Sequence, residues 1–152
     1  MDDRSGQPIR SFRDLEVYQS TYRASIVVLK DVLPKLPPAE RFDLRDQLQR
    51  SCKAVPRLIA EGYAKKHQRQ GFQKYLDDAM AESNETIVGL EHCKDVYGVD
   101  RVTCDQLIDV YDKASRQLFR LAAAWDGFKI RSRTTTPSND TSSDTANDGR
   151  HH

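Results

Sequence analysis

The sequence predicts an all-α fold, an antiparallel up-down four-helix bundle with a disordered C-terminal tail. Three observations carry that expectation. Apolar residues recur every three or four positions along four separate stretches, the period of one buried helical face. The connectors are short and marked by proline or glycine, so consecutive helices double back alongside one another. Beyond Arg131 there is no large apolar residue, and Ser, Thr, Asn and Asp dominate, so burial cannot offset the entropy of ordering the chain. The expected organisation is one domain: a flexible tail over residues 1–10, the bundle over 11–131 and a polar tail over 132–152.

Ser11 and Asp14 have the spacing of a capping box at the start of the first helix. The expected apolar stripe is Leu15, Tyr18, Tyr22, Ile26, Leu29 and Leu33, and Pro34, Pro37 and Pro38 end the helix. The second helix is expected to begin between Pro38 and Arg41. Its inner face reads Leu44, Leu48, Cys52, Val55, Ile59 and Gly62 or Tyr63. Pro56 conflicts with a helix interior, where proline removes a donor and costs about 3 kcal/mol. The apolar phase continues through it, which favours one kinked helix over two abutting ones.

The third helix follows Gly71, with Phe72, Leu76, Ala79 or Met80, Ser83, Ile87, Leu90, and Cys93 or Lys94 inward, and Gly98 as its stop. Thr103 and Gln106 read as a capping box for the fourth helix, with Val102 and Leu107 as a hydrophobic staple. Leu107, Tyr111, Ala114, Leu118, Leu121, Trp125 and Phe128 then alternate in steps of four and three, a coiled-coil-like seam.

Charge is segregated along the chain. Between Arg41 and Lys74 nine basic residues face three acids, whereas between Tyr75 and Asp112 ten acids face Lys94 and Arg101. Such asymmetry suits self-association or a polyanionic partner, or else neighbouring helices that neutralise one another. Arg41, Arg45, Arg50, Lys53, Arg57, Lys65, Lys66 and Arg69 are the candidate nucleic-acid-binding residues, able to track a phosphate backbone with release of counterions.

Nothing nominates catalysis. Glu61 beside Gly62 lacks a second carboxylate or histidine at dyad spacing, and reads as a structural carboxylate that pairs with an arginine or with an exposed helix end. Gly62 reads as a turn or as a close approach of another helix. His67 and His92 are isolated, His151 and His152 end the chain, and no ligand spacing suggests a metal. No cofactor is expected. The odd number of cysteines (Cys52, Cys93 and Cys104) without CxxC spacing suits buried thiols in a reducing compartment. The N-terminus lacks the apolar core of a secretion signal and no apolar run approaches membrane-spanning length, so a cytoplasmic protein without membrane contact is expected.

Several motifs resemble those of the four-helix-bundle proteins encoded in intervening sequences of bacterial large-subunit ribosomal RNA genes. Phe12-Arg13-Asp14-Leu15-Glu16-Val17-Tyr18 is similar to that family's opening F-x-D-L-x-V-W/Y. Leu44, Gln47, Leu48 and Arg50 are similar to L-x-x-Q-L-x-R-A-A, and Ala54 to Gly62 resembles S-I-P-S-N-I-A-E-G through Pro56, Ile59, Ala60, Glu61 and Gly62. Phe72, Tyr75, Leu76, Ala79 and Glu85 fit a fourth motif, F-x-x-F/Y-L-x-x-A-x-G-S-x-x-E. Arg57 and Leu58 replace the family's Ser and Asn, and Ala81-Glu82 its Gly-Ser, which marks a divergent member. The resemblance implies the bundle fold and homo-oligomers, including pentamer rings. It also implies association with RNA or with reverse transcriptases, as in related accessory proteins of diversity-generating retroelements, and no enzyme activity. The function expected from sequence is therefore a non-enzymatic, self-associating bundle that binds RNA, another nucleic acid or a nucleic-acid enzyme through its basic second helix. The alternative is a protein-interaction adaptor that binds no nucleic acid.

Overall fold

The computed structural model describes residues 8–68 and 70–134, with side-chain surroundings through Trp125. Four long helices build it: α1 (Glu16–Val27), α2 (Leu44–Ala64), α3 (Gly71–Tyr97) and α4 (Arg101–Thr134). The polar tail expected over 132–152 lies outside the described residues after Thr134, where α4 ends three residues beyond the expected limit. The Phe128 side chain also lies outside them.

Cross-helix contacts fix the directions. Lys94 of α3 meets Asp105 of α4, Ser83 meets Tyr111 and Ser115, and Phe72 meets Trp125, so α3 and α4 are antiparallel. Between α2 and α3, Ser51 meets Thr86, and Gly62 lies against Phe72 and Tyr75. Lys113 of α4 reaches Glu16 of α1, closing the bundle. The all-α four-helix bundle is thus as expected.

The N-terminal capping box forms, but around a 3-10 turn at Phe12–Asp14 rather than on α1 itself. The Ser11 N–H donates to Asp14 Oδ2 at 3.0 Å, and the Arg13 N–H to Ser11 Oγ at 3.1 Å. The Arg10 N–H also donates to Asp14, and Ile9 packs against the core. Leu15, in extended conformation, separates this turn from α1.

The stripe expected on α1 is corrected. Val17, Thr21, Ala24, Ser25 and Val28 face inward, while Tyr22 is about half exposed at 49%. Tyr22 instead stacks on Tyr18 at the surface, with ring centroids 6.0 Å apart. The buried Thr21 hydroxyl is satisfied by the Val17 carbonyl at 2.7 Å, which lets a polar residue occupy the core. After Val27 the helix widens into a π-helical stretch (Val28–Val32), and then tightens into a 3-10 turn at Leu33–Lys35 ahead of the proline connector. Within it the Leu33 N–H reaches back five residues to the Val28 carbonyl. Val28, Val32 and Leu33 are all buried as a result.

On α2 the expected inner face is the observed one: Leu44, Leu48, Cys52, Val55, Ile59 and Gly62 are buried and Tyr63 is partly so. A single helix passes through Pro56, itself buried. Gly62 lets α3 approach closely, since a Cβ there would lie 2.6 Å from Tyr75 Cβ.

Gly98, at φ 63°, ends α3 in the left-handed conformation that glycine adopts without strain. The start of α4 is corrected. Thr103 lies inside the helix, and its N–H donates to Asp100 Oδ1 at 3.2 Å, so Asp100 is the capping residue. Val102 is 69% exposed and forms no staple. Leu107, Tyr111, Ala114 and Leu118 are buried as the seam requires, and Leu121 and Trp125 are partly buried.

A polar seam threads this core. Thr86 Oγ1 lies 2.9 Å from Ser51 Oγ, Ser83 donates to the Tyr111 carbonyl at 3.1 Å, and Ser115 donates to Ser83 at 2.8 Å. These satisfied hydroxyls join α2 to α3 and α3 to α4.

Candidate nucleic-acid interface

The 3.6-residue turn of α2 sets the candidate surface. With Leu48, Val55 and Ile59 turned inward, Arg50, Lys53 and Arg57 fall within an outer arc of about 60°. All three are exposed. Arg45 lies nearer the core and is half-buried, and Arg41 precedes the helix, its guanidinium 5.4 Å from the Phe42 ring centroid.

The same face carries acids. Asp46 is exposed between the basic positions. The Glu61 carboxylate accepts from the Arg57 guanidinium at 3.3 Å, and both side chains are about half exposed. Such an exposed pair contributes only a few tenths of a kcal/mol, so Arg57 remains available to a partner. Glu82 of α3 lies within the field of Arg50 and Arg57. Partial burial and the neighbouring Glu85 still hold its carboxyl above the usual range, with the two arginines opposing that shift.

The remaining basic residues do different work. The Lys65 ammonium donates to the Tyr75 hydroxyl at 2.6 Å and lies 4.9 Å from that ring's centroid. This bond holds Lys65 above the ordinary lysine value. The Lys66 ammonium lies 3.9 Å from the Tyr63 ring centroid. Both lysines thus lie against aromatic rings where α2 turns into α3, and Lys65 also lies in the field of Glu61, the ion-pair partner of Arg57. Arg69 is outside the described residues. The structure therefore brings together Arg50, Lys53 and Arg57, sets Arg41 and Arg45 at the helix start, and sets Lys65 and Lys66 just past the helix end.

Of the four motif positions, Gln47 is exposed and donates to Asp43 Oδ1 at 3.2 Å, Pro56 and Gly62 are buried, and Glu61 faces solvent. An apolar pocket of about 370 Å³ opens between the ends of the helices, lined by Ile9, Leu15, Tyr63, Phe72, Ala124 and Trp125. Lys66 is its one charged lining residue among those described, so no acid–base pair meets there. Among the described residues no group of His, Cys, Asp and Glu could hold a metal ion, and no helix is long and apolar enough to cross a membrane.

Sequence reasoning missed Phe42, which is 86% exposed in the turn before α2. Its signal was present: an aromatic flanked by Arg41 and Asp43 and outside the apolar period. It also missed the influence of Glu82, which needs the α2–α3 register to be seen.

Comparison with curated proteins and with solved structures gives no match for this chain. The family model described as 23S rRNA-intervening sequence protein matches residues 13–120, which takes in all of α1, α2 and α3 and the larger part of α4. With the motifs around Leu15, Pro56 and Phe72 set on this bundle, the chain belongs to the 23S rRNA-intervening sequence protein family.

Proposed function

We propose that this protein is a non-enzymatic, self-associating helical bundle of the cytoplasm that binds RNA, or an enzyme acting on nucleic acid, through the outer face of α2. The observation that carries the reading is the exposed arc of Arg50, Lys53 and Arg57, with Arg41 and Arg45 at the helix start. Three guanidinium or ammonium groups on one rigid helix can meet successive phosphates and release counterions. The family's connection with ribosomal RNA supports an RNA partner, and reverse transcriptases are the enzyme class that the resemblance suggests. Self-association, with pentamer rings as one form, is supported by apolar side chains left open on α3 and α4: Val88, Val96 and Phe119 are 49%, 63% and 63% exposed. No catalytic role is assigned, because Glu61 faces solvent and its ion-pair partner is Arg57.

A second reading, an assembly adaptor without nucleic acid, draws on the same charges. The field of Arg50 and Arg57 already reaches an acid of α3, and in this reading a second copy's acidic face occupies α2.

The test is filter retention of mixed-sequence RNA by the purified chain across a salt series. The nucleic-acid reading expects retention at low salt that falls steeply with salt, and that is lost in the triple variant Arg50→Glu, Lys53→Glu, Arg57→Glu. Absence of retention at low salt, together with salt-sensitive oligomers free of nucleic acid, would establish the adaptor instead.

A further inference from the structure

The Phe42 side chain has no structural reason to stand where it does. At 86% exposure it is the most open of the large apolar side chains among the described residues, while Leu36 and Leu44 on either side are buried. Its backbone is held nonetheless. The Arg41 N–H donates to the Pro38 carbonyl and the Asp43 N–H to the Glu40 carbonyl, each at 3.2 Å. The Leu44 N–H donates to Glu40 Oε2 at 3.2 Å, and the Tyr97 hydroxyl of α3 donates to Glu40 Oε1. An aromatic ring is thus presented to solvent from a fixed base, with the Arg41 guanidinium 5.4 Å from its centroid.

The charges around it are mixed, with Arg41 and Arg45 beside Glu40, Asp43 and Asp46. Both Glu40 oxygens are engaged by protein donors, and Asp43 Oδ1 accepts from Gln47. Arg41 and Arg45 bracket the ring in sequence, and α2 carries the basic arc onward. From Leu44 to Arg57 the helix advances about 20 Å at 1.5 Å per residue. That distance equals about six nucleotides at the 3.4 Å spacing of a stacked strand.

We infer that Phe42, with Arg41 beside it, is a stacking platform for an unpaired base, so that the polyanion of α2 is a single-stranded nucleic acid. The inference rests on the nucleic-acid reading of α2 given above. A duplex hides the faces of its bases and leaves the ring nothing to stack on, whereas an unpaired base offers its π-face whatever its identity. A ring held on fixed backbone loses little further freedom on binding, which favours stacking over loose contact.

The experiment measures fluorescence anisotropy of a labelled twelve-nucleotide single-stranded RNA and of a twelve-base-pair RNA duplex at low salt. The proteins are the wild-type chain, Phe42→Ala, Phe42→Trp and the triple α2 variant. Phe42→Ala is expected to weaken single-strand binding about 5- to 100-fold, the range for losing one base–aromatic stack. It should leave duplex binding and the salt slope unchanged, and Phe42→Trp should restore affinity. Because the side chain is exposed, circular dichroism should show no loss of helix. Single-strand affinity unchanged in Phe42→Ala, or weakened equally for both RNAs, overturns the inference while leaving the α2 reading in place. A lower particle mass for Phe42→Ala by light scattering also overturns it, since the ring would then belong to a contact between copies. If the wild-type chain binds neither RNA, the α2 reading itself fails and takes the inference with it.

Discussion

Lys35 Nζ lies 2.7 Å from Asp100 Oδ2 and ties the end of the first helical segment to the first turn of α4. Asp100 has a second task, because its other oxygen accepts from the Thr103 N–H. One carboxylate therefore caps a helix and closes the bundle between α1 and α4 at the same end. Its φ of 35° lies in the left-handed region, which aspartate tolerates better than most residues, and these two bonds hold it there.

Asp100→Ala should lower the melting temperature more than Lys35→Ala, since it removes the cap as well as the ion pair. The pH dependence follows from the shifts. Hydrogen bonds from Lys35 first and Thr103 second hold the Asp100 carboxyl below its usual range. Its contribution is thus present above the unfolded carboxylate value near 4 and is lost as pH falls through the lower folded value. Lys35 is raised, chiefly by the hydrogen bond to Asp100, so its share persists below the unfolded lysine value and is lost as pH rises through the higher folded one. Thermal melts of wild type and Asp100→Asn from pH 2 to 7 should converge at the acid end. Parallel curves would show that the pair contributes no pH-dependent stability.

Two glycines face α2–α3 neighbours of different compliance. At Gly62 an added Cβ meets the Tyr75 Cβ at 2.6 Å, whereas at Gly89 it meets the mobile end of Leu48 at 3.0 Å. Alanine gains about 1 kcal/mol of helix propensity over glycine at either site. Gly62→Ala should still lose about 1–3 kcal/mol through overpacking, and Gly89→Ala should stay within about 1 kcal/mol of wild type. Urea denaturation of the two variants gives the comparison, and a stabilised Gly62→Ala would remove the close-approach account.

All three cysteines are buried free thiols. Burial pushes Cys52 and Cys93 up to about 12 and raises Cys104 as well. Thiolate is the reactive form, so the folded chain should label slowly with a disulfide reagent at pH 8 and completely in denaturant. Rapid labelling of even one thiol in the folded protein would contradict the packing of its helix, α2 for Cys52, α3 for Cys93 or α4 for Cys104, into the core.

Glu82 opposes Arg50 and Arg57 from the neighbouring helix. Glu82→Gln should therefore strengthen RNA binding by the α2 arc by a few-fold at low salt, with the gain shrinking as salt screens it. The titration of wild type should show the same effect on acidification, beginning above the ordinary glutamate range because burial and Glu85 raise this carboxyl. Unchanged affinity in Glu82→Gln would place the bound polyanion away from Arg50 and Arg57.

The legible parts of the chain were those governed by one local period. Leu44 to Gly62 shows its buried face directly, because large apolar residues occupy it and charged residues the opposite one. On α1 the same rule misled. Tyr18 and Tyr22 have the right spacing, but Thr21 and Ser25 bury their hydroxyls against backbone carbonyls, a saving that no hydropathy pattern records. The π-helical stretch over Val28–Val32 then breaks the 3.6-residue count. At α4, Thr103-x-x-Gln106 has the capping spacing, but Asp100 caps the helix instead, held by the Lys35 contact across 65 positions. The basic arc could be read from sequence for the same reason as the α2 core. The acid that faces it and the bond of Lys65 to Tyr75 depended on how α3 docks.

The hydroxyl seam has a consequence for how such a chain can diversify. Ser51 with Thr86 and Ser83 with Ser115 bind the three longest helices to one another at fixed heights. Sliding one helix by a turn, about 5.4 Å, would break these cross-helix bonds and leave Ser51 and Thr86 only the carbonyls of their own helices, Leu48 and Glu82. The alignment of the bundle is therefore written on its inside, in four small side chains. The outer faces are released from that duty, and their charges can be redrawn for a new partner without placing the topology at risk.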